Sequence, residues 1–564
     1  MTGFLRAKSW PSALHLDAGY RLVAWLFLRL LALIYLAAFM SLAIQIQALA
    51  GAGGIFPIGE QLAGAVQEHG SLAWLAYPSF FWLAAGDGAL LGAAWGGAMV
   101  AVLLLVLPWL PMATRPGGLP RRTGGARLSG DPSGTCELAK LAELAEPSGQ
   151  GMTSGMGEPC EPGWTGGTSG TGGSGGTTRV PAAWMERTVL LLLYLLYLSL
   201  YHAGQFFTNF QWDYLLLETG FLAMLLPGGP RLVVWLFRWL LFRLRFESGL
   251  AKLLSGDPAW RDLSALRYYF ETQPLPHAGA WYAHHLPDAL LRVGAGGTLF
   301  VELVVPFFIF LPRPWRLFAA WVTILWQVLI IATSNHNFFN LLTIILCLFL
   351  FDDQAVRRVL PRGWRERALA SHLLPVRPGR GMAALTLGLA LVLVTTSLIV
   401  GAELVFRRSL DPLSAWVRPL EPFRIANRYH VFPTIERRRV ELVMEASADG
   451  VNWQPLDFRY RPDDPAQAPV FIVPHQPRLD WMLWFLPRNP VFLELLDRFL
   501  DRLRAGDPAV TALLARPPVT QGSSPWLRLS LYQYRFSSPA ERSASGQWWQ
   551  RDYLGPFLPL PFRG

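Results

Sequence analysis

Apolar runs of membrane-spanning length recur along most of the chain, at 22–47, 88–111, 187–203, 296–311, 316–333, 338–351 and 381–403. A crossing helix needs about 20 mostly apolar residues, and somewhat fewer where it is buried in a bundle. Two shorter runs, 214–227 and 231–245, raise the expected number of spans to about nine. Residues 71–85 are apolar but broken, and read as interfacial or re-entrant. Beyond about 404 the pattern changes. Arg437 to Tyr460 alternates apolar and polar residues across Asp449-Gly450, a hairpin signal. Trp526 to Phe536 alternates with period two and predicts a strand with one buried face. Residues 491–504 (VFLELLDRFLDRLR) predict an amphipathic helix. The pattern therefore predicts a polytopic α-helical membrane protein of about nine spans, followed by a β-rich soluble C-terminal domain.

The same pattern divides the chain. Residues 1–111 hold N-terminal transmembrane helices, 112–183 a Gly/Ser-rich flexible linker, 184–403 a transmembrane core with a polar outer loop at 246–295, and 404–564 the β-rich soluble domain. The linker contains GxSxG and GxGxxG matches around Gly170 to Gly176, but no strand precedes them and no helix follows, so neither carries chemistry. Arginine density sets the orientation. With the N-terminus inside, the loops at 112–183, at Arg313 and Arg316, and at 352–380 are inside and rich in Arg. The outside loops 48–87, 204–213 and 334–337 hold no Lys or Arg. Only 246–295, with Lys252, Arg261, Arg267 and Arg292, breaks the rule, and either a folded functional loop or a miscounted span at 214–245 would explain it. The first apolar run is long enough to span, so a signal-anchor is expected rather than a cleaved signal.

Composition agrees. Of 564 residues, 52% are hydrophobic and 16% charged, against roughly 25% charged in an average soluble chain. The net charge of +10 comes almost wholly from Arg, with lysine only at positions 8, 140 and 252. Arg residues cluster at span ends rather than on one amphipathic face, which argues against nucleic-acid binding and for membrane lipid as the constant partner. Cys136, Cys160 and Cys347 form no CxxC, so neither a dithiol site nor a local zinc site is encoded. No cofactor or metal is expected.

Two stretches carry most of the polar chemistry. NFQWDYLLLETGFLA (209–223) places Asp213 and Glu218 among aromatic and aliphatic residues. A carboxylate in hydrocarbon needs a partner, a proton or water. The second stretch, Phe242 to Pro287, is dense in Arg, Glu, Asp, His and aromatics.

These stretches resemble the lipase maturation factor family. The resemblance is carried by NFQWDYLLLETGFLA, FESGLAKLLSGDPAWRDLSALRYYFETQPLP (246–276), AWYAHHLP (280–287) and NHNFFNLLTIILCLFLFDD (335–353), and in the tail by EPFRIANRYHVFPTI (421–435) and DGVNWQPLDFRYRP (449–462). It covers most of 184–555 and, more loosely, 10–111. It implies a non-enzymatic membrane chaperone for folding, assembly and release of secreted lipases, chiefly dimeric ones such as lipoprotein lipase. It also implies a lumenal tail. The membrane would be the endoplasmic reticulum in a eukaryote and the cytoplasmic membrane in a bacterium. Within the matching motifs, Asn209, Trp212, Asp213, Glu218, Glu247, Lys252, Asp257, Trp260, Arg261, Trp281, His284, Asn337 and Asn340 are candidates for a functional role. More remotely, the helical part resembles the membrane domain of vitamin K-dependent γ-carboxylases, which implies an enzymatic alternative acting on a peptide or a lipophilic substrate.

Each site has a bland reading beside the sharp one. Asp213 and Glu218 could form an outer polar site, or simply sit at a helix N-terminus paired with Arg243 or Arg245. Lys252, with Glu247, His284 and His285, could serve as a carboxylase-like acid/base group, but a lysine near Glu247 and Asp257 is more often an ion pair. His277, His284 and His285 lack ligand spacing for a metal. Asp257 suits a helix cap, and Trp260 an interfacial anchor. Asn335, His336, Asn337 and Asn340 suggest a hydrogen-bonded reversal between two spans. Trp481, Trp484 and Phe485 form an apolar stripe, by default core packing, and a client contact if exposed.

Overall fold

The computed structural model describes residues 19–110, 182–374, 378–516 and 526–557. The Gly-rich linker, Lys8, Lys140, Cys136 and Cys160 lie outside the described residues. Among the described residues, six helices are long and apolar enough to cross a membrane. They are α1 (Arg21–Ala43), α2 (Asp87–Val106), α3 (Ala182–Gly204), α6 (Asp288–Leu303), α7 (Arg313–Thr333) and α9 (Arg380–Phe406), with 3-10 turns extending α2, α3 and α6. The other three runs expected to span fall on α4 (Gln211–Ala223), α5 (Leu232–Leu254) and α8 (Phe339–Leu346), the last continued by a 3-10 turn to Leu350, and none of these is among the six. Residues 70–82 form short helical turns, none of spanning length.

The outer loop expected at 246–295 is mostly helical. Its first residues continue α5, its last begin α6, and three short helices lie between them, Pro258–Arg261, Ala265–Thr272 and Ala278–His284. The run of charges near Arg245 reads as a span end, because charge is costly in lipid. Here those charges are buried inside protein, so the helix runs on for two more turns.

The tail forms a four-stranded antiparallel sheet of β1 (Arg439–Ser447), β2 (Gln454–Pro455), β3 (Trp526–Phe536) and β4 (Trp549–Pro556), in the order β2-β1-β3-β4. The hairpin turns at Gly450 with φ +74°, a conformation that favours glycine. Its second arm is two residues long, ending at Pro455, which has no N–H to donate. Among the helices that accompany the sheet, α10 (Arg478–Leu483) and α11 (Leu493–Arg504) supply most of the packing on one face.

β1 is buried on both faces. Leu442 and Met444 pack with α10 and α11, and that cluster also takes in Leu49, Ile55, Phe56 and Phe207 from the membrane half. Val443, on the other face, packs with Tyr534, Phe536 and Trp549 and with Phe270 and Trp281 of the short helices. The tail core is therefore built partly from residues of the transmembrane half.

Candidate functional site

Most of the polar motif residues meet where the C-terminal chain packs onto one end of the bundle. Asp213 lies in the first turn of α4 and is fully buried. Its partner is neither Arg243 nor Arg245 but Arg478, the first residue of α10, in a bidentate pair of 2.7 and 2.8 Å. Tyr197 donates a third bond at 2.7 Å. Arg478 also donates to the Phe207 carbonyl at 2.8 Å, and its own N–H donates to Gln45 at 2.9 Å. The planar guanidinium matches a carboxylate in two parallel bonds, a geometry lysine cannot supply.

Along α5, one residue per turn engages the stretch 427–431. Arg243 donates to the Asn427 carbonyl at 3.0 Å, Glu247 accepts the Tyr429 N–H at 2.9 Å, and Lys252 donates to the Val431 carbonyl at 2.7 Å. The spacing has a simple origin. Two residues of an extended chain advance about 6.6 Å, and the steps of four and five helical residues about 6 and 7.5 Å, so alternate positions of one stay nearly level with successive turns of the other. Glu218 is held by Arg243, by the Asn427 N–H and side-chain amide at 3.1 and 3.0 Å, and by the Tyr429 hydroxyl at 2.8 Å. Arg243 thus fulfils the expected pairing for Glu218.

Lys252 does not pair with Glu247 or Asp257. It sits 2.8 Å from Glu302 of α6, which also pairs with Arg245 at 3.3 Å. The ammonium lies 5.2 Å from the centre of the Trp260 ring. Trp260 is buried at this point, not an interfacial anchor. Asp257 caps the next helix through the Ala259 N–H at 2.9 Å and also receives the Ile435 N–H and Arg437 at 2.7 and 2.6 Å. Burial pushes the Asp257 carboxyl up, but these N–H groups and the guanidinium outweigh it and hold it below the usual carboxylate range. Arg261, at the end of that helix, is exposed.

The asparagine-rich turn after α7 is hydrogen-bonded, but mostly to the tail. Asn335 donates to the Leu275 and Val470 carbonyls at 3.0 and 2.8 Å, and Asn337 to Gln476 at 2.8 Å. Asn340 turns inward and donates to Gln327 of α7 at 2.7 Å. Asn209 accepts from Tyr201 at 3.1 Å and from Tyr214.

The histidines do not converge. His277 caps its own helix by accepting the Gly279 N–H at 3.0 Å, and His285 bonds the Trp281 carbonyl at 2.7 Å. His284 stands 3.8 Å from Glu271, and burial pushes its imidazole down to about 4. Trp281 is buried and donates to the Ser537 carbonyl at 2.8 Å.

The stripe at 481–485 is internal. Trp481 packs edge-on against Trp212 at 5.1 Å, Trp484 donates to the Thr272 carbonyl at 3.0 Å, and Phe485 stacks beside Phe210. These contacts close the seam between tail and bundle, so the stripe offers no open client surface here.

Beside Lys252 a cavity of about 250 Å³ runs between α5, α6 and α7, walled by Trp260, Trp326 and Phe432. Arg478, Asn427, Tyr429, Glu302 and Gln476 escape the reading of the sequence. Glu302 had a signal, a lone carboxylate inside GTLFVELVV (297–305). Asn427 and Tyr429 lie in the tail motif 421–435, but nothing local names their partners.

The model of the lipase maturation factor transmembrane domain matches residues 22–114 and 168–358, and that of the lipase maturation factor C-terminal domain matches 425–559. The chain is 35% identical to lipase maturation factor 1 of Bos taurus over 397 residues, covering 65% of this chain and 70% of that protein. It is 34% identical to lipase maturation factor 2 of Homo sapiens over 489 residues, covering 66% of this chain and 68% of that one. No solved structure matches. The two matched regions are those that the Asp213–Arg478 and Glu218–Asn427 contacts join, and the chain belongs to the lipase maturation factor family.

Proposed function

We propose that this protein is a membrane chaperone that assists folding, assembly and release of secreted lipases. Membership of the family carries the reading, and the names of the relatives point to lipase maturation. The polar groups of the site support a holding role over a chemical one. Lys252 is tied to Glu302 and to a carbonyl, so it works as a paired cation. The tail locks onto the bundle, so client contact falls to what it leaves open. Trp526, Tyr553 and Leu554 are exposed, and β4 is an edge of the sheet. Among the described residues no strand pairs with the far edge of β4, and such an edge with exposed apolar side chains suits a partly folded chain.

The topology belongs to the same proposal: nine traverses, N-terminus cytoplasmic, tail in the lumen or periplasm, and domain boundaries as read from the sequence. Contacts between connections support the alternation. At one end, Asp353 receives the N–H groups at the start of α1, Arg313 pairs with Asp352, and the Gly228 N–H meets the His372 carbonyl. At the other, Gln45, Phe207, Thr333 and Asn335 all reach residues after Trp260 or in the tail. The first end also carries the Arg-rich loops.

The test uses cells lacking their own maturation factor and a co-expressed dimeric lipase. Activity per secreted lipase molecule is expected to be restored by the protein and by Lys252→Arg, and to fall several-fold with Tyr553→Ser/Leu554→Ser at equal expression. Rescue by the parent chain but not by Lys252→Arg would turn the reading toward chemistry at that lysine.

A further inference from the structure

The cavity between α5, α6 and α7 is not explained by a chaperone role. Its volume of about 250 Å³ far exceeds what one water needs, roughly 30 Å³. It is elongated. Leu290 and Glu302 both line it, and twelve residues of helix separate them, about 18 Å at 1.5 Å per residue. A volume that small over that length is a slot about one chain wide.

The two ends differ. One is apolar and open. Leu286 just before α6, Leu290 of α6 and Leu329 of α7 line it and are about half exposed. Asp288 and Arg292 pair beside it, so in a membrane this mouth lies at the edge of the hydrocarbon, within reach of acyl chains. The other end is buried and polar. There Arg245 Nε, Trp260 Nε1 and Gln327 Nε2 are buried donors without a hydrogen-bond partner, Asn340 Oδ1 and Glu302 Oε2 (the latter facing Lys252) are buried acceptors without one, and Ser334 Oγ can act as either. Buried polar atoms are normally satisfied, so several orphans around one cavity mark a group that completes them. Donors outnumber acceptors. The charged side chains of the lining, Arg245 and Lys252 against Glu302, leave one positive charge.

We propose that this slot binds a long-chain fatty acid that enters from the membrane between α6 and α7. The hydrocarbon chain fills the apolar passage, and the carboxylate accepts from Arg245, Trp260 and Gln327. An alcohol head would leave the charge uncompensated and most of the donors unfilled, and a second acyl chain would not fit.

The test uses the full chain in phosphatidylcholine nanodiscs with palmitic acid carrying a diazirine at its methyl end. Photolabel is expected on the α6 and α7 residues at the mouth. Excess oleic acid should remove it, whereas oleyl alcohol should not. Thr298→Trp, which fills the middle of the slot, should lower labelling at least tenfold. Trp260→Phe, which removes a donor and neither a charge nor an existing hydrogen bond, should weaken oleic acid competition several-fold, so the site remains testable if the tryptophan variant folds poorly. Label spread equally over α9 and insensitive to oleic acid would overturn the site. Competition by monooleoylglycerol as strong as by oleic acid would overturn the carboxylate assignment.

Discussion

α9 and α5 are both long helices of the membrane half, yet they solve opposite problems. α9 turns Leu387, Leu391 and Leu398 outward and buries small or hydroxyl residues such as Thr386, Ala390 and Ser397. Lipid meets most of its surface, and its own backbone bonds satisfy its peptide groups. Near its C-terminal end one charge, Glu403, takes Arg428 of the tail as partner. α5 buries Arg238, Arg243, Arg245, Glu247 and Lys252. No solvent meets those groups, so protein must. Arg238 turns to the Phe349 carbonyl and the Tyr20 hydroxyl. The partners of the other four come from α4, α6 and, above all, the stretch 427–431, which follows α9 in the chain. The comparison teaches that the tail completes the bundle: an apolar helix needs only lipid, whereas a charged one needs a second part of the chain to fold onto it.

The sharpest way to break this contrast is Arg478→Met. It leaves the fully buried Asp213 without its cation, and should cost about 3–5 kcal/mol, the range for a buried pair stripped of one partner. Thermal unfolding in detergent and membrane yield would both fall, and adding Asp213→Asn should recover most of the loss. A cost as small as that of an α9 substitution would mean that tail and bundle are separable. Asn427→Ala is next. It removes the side-chain amide from Glu218, with an expected loss of about 1–3 kcal/mol by the same assay.

Acidity probes the tail's own interior. Burial pushes the Asp480 carboxyl up to about 7 and Asp463 to about 6, despite nearby Arg461. The unfolded chain releases these protons near the ordinary value of about 3.9. The folded tail therefore binds more protons than the unfolded one between about pH 4 and 7, and its stability declines as pH rises through that window. Asp480→Asn should flatten the decline, by less than about 1.4 kcal/mol per pH unit for one proton. Denaturant unfolding followed by tryptophan fluorescence at pH 5 and pH 7.5 would read it, and an unchanged slope would refute the assignment. The smallest effect is expected on α9. Leu391→Ala should change stability by no more than about 0.5 kcal/mol in lipid, because that side chain is 70% exposed and loses no protein contact of consequence.

Legibility followed the periodicity. The lipid-facing helices were readable almost to the residue, since 316–333 and 381–403 became Arg313–Thr333 and Arg380–Phe406. The helix near 491–504 was equally plain, because one face is wet and the other buried. The strand at Trp526 to Phe536 packs on both faces rather than on one, Leu529 and Leu531 on one and Tyr534 and Phe536 on the other, but was plain in extent. β4 was not, as Trp549 and Tyr553 lie in a segment with no clean alternation. Span ends near α5 were misread for a definite reason: charge ordinarily ends a span, and here it continues inside a protein interior.

Amino-acid order by itself determined the class of this molecule: apolar helices in lipid, a mixed tail, carboxylates and bases placed where they must find partners, and motifs that resemble one family. Each of these depends on local composition and spacing, which the chain carries wherever it goes. Which base meets which acid was decided only in three dimensions. Asp213 and Arg478 are 265 positions apart, and Glu218 and Asn427 are 209. No local pattern ranks such pairings, because the energy that selects them arises when two distant segments exclude water together.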